Sequence, residues 1–227
     1  MTTTLATPQE LEDAVAGSSI PETINNLIAD LMASLPDPKL LTHAERRGIV
    51  ARYTSVLEGN FIYWMTATLI AAKSEEAHPI LLENLHEEVK DAHPVMLRKF
   101  SVAANSYPDA GDALVVDEDL TRMRWFLGRL SGVQSLLTMA FFEGFIQKFM
   151  AYLAELAAGL GSTEMEYTDV HGVCDVAHTA GLIRAFEIES ANHPLDPDKN
   201  VFEGVYLLRT LLNTIVFGKS ASMAAAA

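Results

Sequence analysis

The sequence predicts an all-α fold in a single domain. Helix signals dominate along the 227 residues, and alternating strand patterns are nearly absent. Apolar residues make up 49% and charged residues 20%, which is typical of a globular chain. A chain of this length fits one domain that buries roughly 70% of its unfolded surface, so a substantial core is expected.

Seven helices can be placed by their caps, periodicity and breaks. They are predicted at residues 8–16, 22–34, 42–73, 75–105, 117–160, 163–191 and 199–217. Thr42 and Glu45 have the spacing of a capping box at the start of the third helix. His93-Pro94 can interrupt the fourth helix, since proline disfavours the helical conformation of the residue before it. Residues 106–116 are predicted as a loop, and residues 1–19 and 219–227 as peripheral or frayed parts of the single domain, 1–227.

The charge balance and the single cysteine exclude several classes of protein. The net charge of −14 repels phosphate backbones, so no nucleic acid partner is expected. Cys174 has no second cysteine to pair with, which fits a reducing cytoplasm. No signal peptide is visible, and the most apolar stretches, 61–72 and 133–142, are too short to span a bilayer. The expected protein is cytoplasmic, without a membrane partner, and acts on a small molecule, with a homodimer as a possible assembly.

The strongest chemical signal is a stripe of two histidines and an acid. His171, Asp175 and His178 are spaced i, i+4, i+7, so they lie on one face of a helix. Their neighbours are apolar, which directs the stripe inward, and a metal cation would compensate several buried ionisable groups. A hydrogen-bonded His/Asp cluster at a surface or a helix cap is the alternative.

Two further segments are rich in metal-binding residue types. Glu143 is the single acid in a long apolar stretch, where it is costly unless it is paired or ligated; the alternative is a contact with Gln147 at a solvent-facing edge. Between residues 82 and 100, Glu83 and His86 share a helical face. Glu88 and His93 share one only if the helix is broken between them. Carboxylates and imidazoles on three long helices are typical of dinuclear iron sites in helical proteins.

Residues 40–190 resemble the haem-oxygenase-like diiron oxidases and oxygenases. Residues 82–100 resemble the family's first ligand helix, where Asn-Leu-x-x-Glu is followed by His-Pro-x-x-Leu-x-x-Phe, and residues 124–150 resemble the helix with the central carboxylate. The third segment matches the family's His-x-x-x-Asp-x-x-His motif. The resemblance implies a bundle of about seven helices without haem. The ligands that it implies are Glu88, His93, Glu143, His171, Asp175 and His178.

The resemblance also implies a function. Two Fe(II)/Fe(III) ions would activate O2, as a co-substrate, to desaturate, cleave or cyclise a small carboxylate-bearing metabolite, with a free amino acid expected first. Arg184 is the candidate for binding the substrate's carboxylate. Glu83 with His86 stays an alternative ligand pair, and Glu58 a possible extra ligand. Three other functions stay open: a fatty-acid oxidative decarboxylase of the same fold, a thiaminase-like hydrolase that would use Cys174, and a non-enzymatic helical binding module.

Overall fold

Every regular element between residues 19 and 218, the range that the computed structural model describes, is helical, which confirms the predicted all-α class. Within this range the side chains of residues 173–175 are not described. The elements are α1 (Ile20–Ala33), a 3-10 helix (Pro38–Leu40), α2 (His43–Ala71), α3 (His78–Lys90), α4 (His93–Ala103), α5 (Ala110–Leu127), α6 (Gly132–Gly159), α7 (Glu166–Asn192) and α8 (Glu203–Phe217). About seven helices were expected, and this part of the chain has eight α-helices. The helix predicted at 8–16 lies outside the described residues, as do residues 1–18 and 219–227 of the predicted peripheral ends.

The start of α2 follows from its sequence. The Thr42 hydroxyl accepts a hydrogen bond from the Glu45 backbone N–H at 3.3 Å, and the Glu45 carboxylate accepts one from the Thr42 N–H at 2.7 Å. The predicted capping box is therefore confirmed, and it satisfies two backbone donors that the first helical turn would otherwise leave unpaired.

The predicted interruption near His93-Pro94 is also confirmed. Ala92 has the left-handed conformation, with φ 55°, so α3 ends before it and α4 begins at His93. Because the chain changes direction over two residues, Glu88 near the end of α3 and His93 at the start of α4 face the same space.

The single helix predicted over residues 117–160 is wrong, because two helices occupy this segment. Leu130 has φ 53°, and the chain turns there between α5 and α6. No proline marks this break, so the sequence pattern runs on through it. The predicted loop at 106–116 is wrong in its second half, where Asp109 and Asp112 cap each other's backbone N–H groups and begin α5 at Ala110.

Helix α6 is the centre of the bundle. It packs most extensively against α7 and also contacts α1, α2 and α8, so nearly all of its side chains between Gly132 and Ile146 are buried. An acid in the middle of α6 therefore lies in the interior. In the described part of the chain, no helix combines the length and the apolarity that crossing a membrane requires.

A buried carboxylate holds the end of α7 against the connection between α2 and α3. Glu189 is 1% exposed and accepts the backbone N–H groups of Lys73 at 3.0 Å and Ser74 at 2.8 Å. Burial alone would raise the pKa of Glu189, but these donors and the nearby His193 hold it below its ordinary value. This contact contributes to placing α7 beside α3, and both helices carry site residues.

Two glycines test this packing. A β-carbon on Gly204, at the start of α8, would overlap the Thr138 hydroxyl and the Phe126 ring, whereas one on Gly59, within α2, meets nothing within 4 Å. We expect Gly204→Ala to lower the free energy of unfolding by about 2–3 kcal/mol through overpacking. Gly59→Ala should raise it by about 0.5–1 kcal/mol, because alanine favours a helix. Urea unfolding of both variants measures the difference, and equal effects would contradict this packing of α8.

Candidate metal centre

Three side chains from three helices meet in the interior. Glu88 of α3, His93 of α4 and His171 of α7 are each buried, with at most 5% of their surface exposed. Each offers one ligand atom, and these atoms all lie within 4.8 Å of one another. These are ligand types and spacings that could hold a metal ion.

The Glu88 carboxylate is the common partner of the two imidazoles. Its Oε1 atom lies 2.7 Å from His93 Nδ1 and 3.9 Å from His171 Nε2. The two imidazole rings approach to 4.4 Å between their centroids. A cation near Glu88 would therefore have one oxygen and two imidazoles close to it.

His171 is held in the form that binds metals. Its Nδ1 atom lies 2.8 Å from the Tyr167 carbonyl oxygen, which can only accept, so Nδ1 carries the proton and donates it. The lone pair is then on Nε2, the nitrogen that faces Glu88. Burial lowers the pKa of His171 to about 4, so the ring is neutral at pH 7. A metal-binding histidine commonly donates its other N–H to a carbonyl in this way.

Glu143 and His178 form a second pair of buried groups. Glu143 is 1% exposed, and its Oε1 atom lies 3.9 Å from His178 Nδ1. Two residues of α3 hold the pair: Asn84 Nδ2 donates to Glu143 Oε1 at 3.1 Å, and His178 Nε2 lies 2.8 Å from Glu87 Oε2. When the Glu87 carboxylate accepts a hydrogen bond from Nε2–H, a neutral His178 has its lone pair on Nδ1, on the side of Glu143.

Sequence reasoning missed Asn84 and Glu87. Both lie on α3, four residues and one residue before Glu88, within the polar run that carried the ligand candidates. Asn84 and Glu88 are four residues apart, a spacing that could have placed them on one face of the helix. The partners across the interface, Glu143 and His178, are 59 and 91 residues distant along the chain, so only packing shows them.

Glu88, His93, Glu143 and His171 line one small cavity. The space that the centre of a water molecule can reach is about 20 Å³, which suits a water or an ion and not a metabolite. The other lining residues are Leu57, Phe61, Pro94, Leu97, Ile146 and Tyr167. This lining contains no lysine or arginine among the described residues, so a bound cation would compensate the two carboxylates.

The structure places the remaining candidate residues away from this cavity or leaves them undescribed. Asp175 is one of the residues whose side chain lies outside the description. Arg184 is exposed on α7 and does not line the cavity, and its role as a substrate carboxylate binder stays a prediction. Glu83 and His86 are exposed on α3. Glu58, the possible extra ligand, is bound by the guanidinium of Arg98.

Comparisons with protein-family models, with curated proteins and with solved structures found no match for this chain. The resemblance to the haem-oxygenase-like diiron enzymes therefore rests on the residues and motifs described above.

Proposed function

We propose that this protein is a non-haem diiron oxidoreductase that uses O2 to oxidise a small metabolite. The observation that carries the proposal is the buried set of Glu88, His93 and His171, whose ligand atoms lie within 4.8 Å of one another. Two imidazoles and one carboxylate are the ligand set of many non-haem Fe(II) oxygenases.

The second pair of acid and imidazole favours two metals over one. A single His2Glu site also suits catalytic zinc, so the first set of residues does not choose between zinc and iron. Glu143, the partner of His178, lines the same cavity as Glu88, and these groups project inward from four helices of the bundle. Inward glutamates and histidines on several helices are the arrangement of dinuclear carboxylate iron proteins.

The residues divide between the two ions as follows. Glu88, His93 and His171 would hold one iron, with His171 binding through Nε2. Glu143 and His178 would hold the other, and Asp175 is the third candidate ligand from the sequence motif. Bound iron would supply the electrons that activate O2 and the oxidising power that acts on the substrate.

The protein's own contribution is to orient these groups and to exclude water. The Tyr167 carbonyl keeps the proton on Nδ1 of His171, and Glu87 does the same for Nε2 of His178. Leu57, Phe61 and Ile146 give the cavity apolar walls. Such walls keep bulk water from a reactive oxidant.

Metal stoichiometry and O2 uptake together test this proposal. The full chain is titrated anaerobically with Fe(II), its bound metal is counted, and O2 consumption is followed with a panel of amino acids and fatty acids. We expect two Fe(II) ions per chain and faster O2 consumption with at least one substrate class. Binding of Zn(II) with activity in a hydrolytic assay, and no O2 uptake with any substrate, would overturn the proposal.

A further inference from the structure

A second, larger depression, with Asn84 and His178 in its lining, lies between α3 and α7. We call it the α3–α7 groove; its polar lining residues are Glu83, Asn84, Glu87 and His178, and Ile80 and Ala177 are among its apolar ones. The space that the centre of a water molecule can reach there is about 250 Å³, more than ten times the space in the metal cavity. The groove has room for the end of a small organic molecule.

The charge of the groove selects for a cation. Glu83 is exposed, and the side chain of Glu87 is 46% exposed, so both carboxylates can be reached from solvent. No lysine or arginine belongs to the described lining of the groove. An anionic head group would meet two like charges at this place, whereas a cationic one would be attracted to them.

Asn84 adds a buried acceptor to these carboxylates. The residue is 3% exposed, and its Oδ1 atom accepts no hydrogen bond from any residue that the structure describes. Its orientation is set by Glu143, because turning the amide over would place Oδ1, and not the donating Nδ2, against the carboxylate oxygen. A buried acceptor without a donor costs stability, so Asn84 Oδ1 needs a donor from outside the described side chains.

We propose that the α3–α7 groove binds the ammonium group of a small amine. An ammonium carries three N–H donors, and the acceptors that we assign to them are the carboxylates of Glu83 and Glu87 and the Oδ1 atom of Asn84, all three residues being part of the groove lining. That the amine is the enzyme's substrate rests on the proposed function. With that role, the groove selects amine-bearing metabolites and not simple fatty acids as substrates. Because the Asn84 amide contacts both the groove and Glu143, an ammonium bound there is one residue away from the metal cavity.

Calorimetric titration of the full-length chain with matched probes tests the groove without using activity. The probes are hexylammonium, hexyltrimethylammonium, hexanoate and Mg²⁺, and the variants are Glu83→Gln and Asn84→Leu. Glu76→Gln is the control, because it removes an equal charge from an exposed position just before α3 that does not line the groove. We expect Glu83→Gln to weaken hexylammonium binding by about fivefold. Asn84→Leu should weaken it by at least about tenfold.

The proposal holds if hexylammonium binds more tightly than the other three probes and only the two groove variants weaken it. Equal binding of hexanoate or of the trimethylated amine, binding of Mg²⁺ alone, or unchanged affinity in Glu83→Gln would overturn it. Glu83 is exposed, so this variant keeps the test valid even where Asn84→Leu does not fold. Amine binding without any O2 uptake would reject the diiron function and leave the groove assignment standing. O2 uptake driven by fatty acids, without any hexylammonium binding, would reject the groove assignment and leave the diiron function standing.

Discussion

Replacing His171 with alanine should remove at least one metal ion per chain. His171 is buried, and its Nε2 atom faces Glu88 at 3.9 Å from Oε1. Since the loss of even a hydrogen-bond partner of a ligand reduces metal affinity or activity by 10–100-fold, loss of the ligand itself should reduce O2-dependent turnover by at least about 100-fold. Elemental analysis after Fe(II) loading and gel filtration measures the bound metal.

His86→Ala is the matched control for this substitution. His86 is exposed on α3, two residues before Glu88, so its loss removes an imidazole close to the site in sequence but outside the cavity. The control should keep the full metal content and activity. If His171→Ala and His86→Ala retain equal amounts of metal, the buried set of Glu88, His93 and His171 does not bind it.

Substituting Glu143 with glutamine should leave no more than one metal per chain while the metal-free protein stays folded. The glutamine oxygen can still accept the hydrogen bond from Asn84, but it no longer offers a charged ligand. Two carboxylates line this cavity, and its described lining has no lysine or arginine. Removing one carboxylate charge therefore also removes a desolvation cost. The metal-free variant should therefore be at least as stable as the unchanged protein.

Thermal unfolding with and without Fe(II) separates these two effects. A ligand at 100 times its Kd stabilises a protein by about 2.7 kcal/mol. For a chain of this size, that is a rise in Tm of roughly 5–10 °C. We expect the unchanged protein to show this rise and Glu143→Gln to lose at least half of it.

Glu155→Gln is the control on the same helix, because the side chain of Glu155 is 47% exposed near the end of α6. It should leave both Tm values unchanged. A fall in the Tm of metal-free Glu143→Gln by more than a few degrees would instead identify Glu143 as a structural group of the core.

Local sequence patterns predicted most of the helices because their causes lie within a few residues. The capping box at Thr42 and Glu45 stands at the start of α2, and the break between α3 and α4 lies at Ala92, two residues before Pro94 in the first turn of α4. The division between α5 and α6 was not predicted, because no comparable local signal marks the break. No proline marks it, and the chain turns at Leu130 between two helices that each pack against α2 and α8.

The sequence by itself determined that His171 and His178 share one helical face and that Glu143 lies in an apolar stretch. Only the tertiary structure decided which groups meet them. It brings Glu88 and His93 beside His171 because the chain turns at Ala92, and it leaves Glu83 and His86 exposed.

The sequence likewise does not predict two hydrogen bonds, the one from Asn84 to Glu143 and the one between His178 and Glu87. They join residues of helices that are far apart in the chain, and they form only when α3 packs beside α6 and α7. Helical periodicity states which residues of one helix point the same way. It does not state which residues of a neighbouring helix pack against that face. The packing of the whole core decides those contacts.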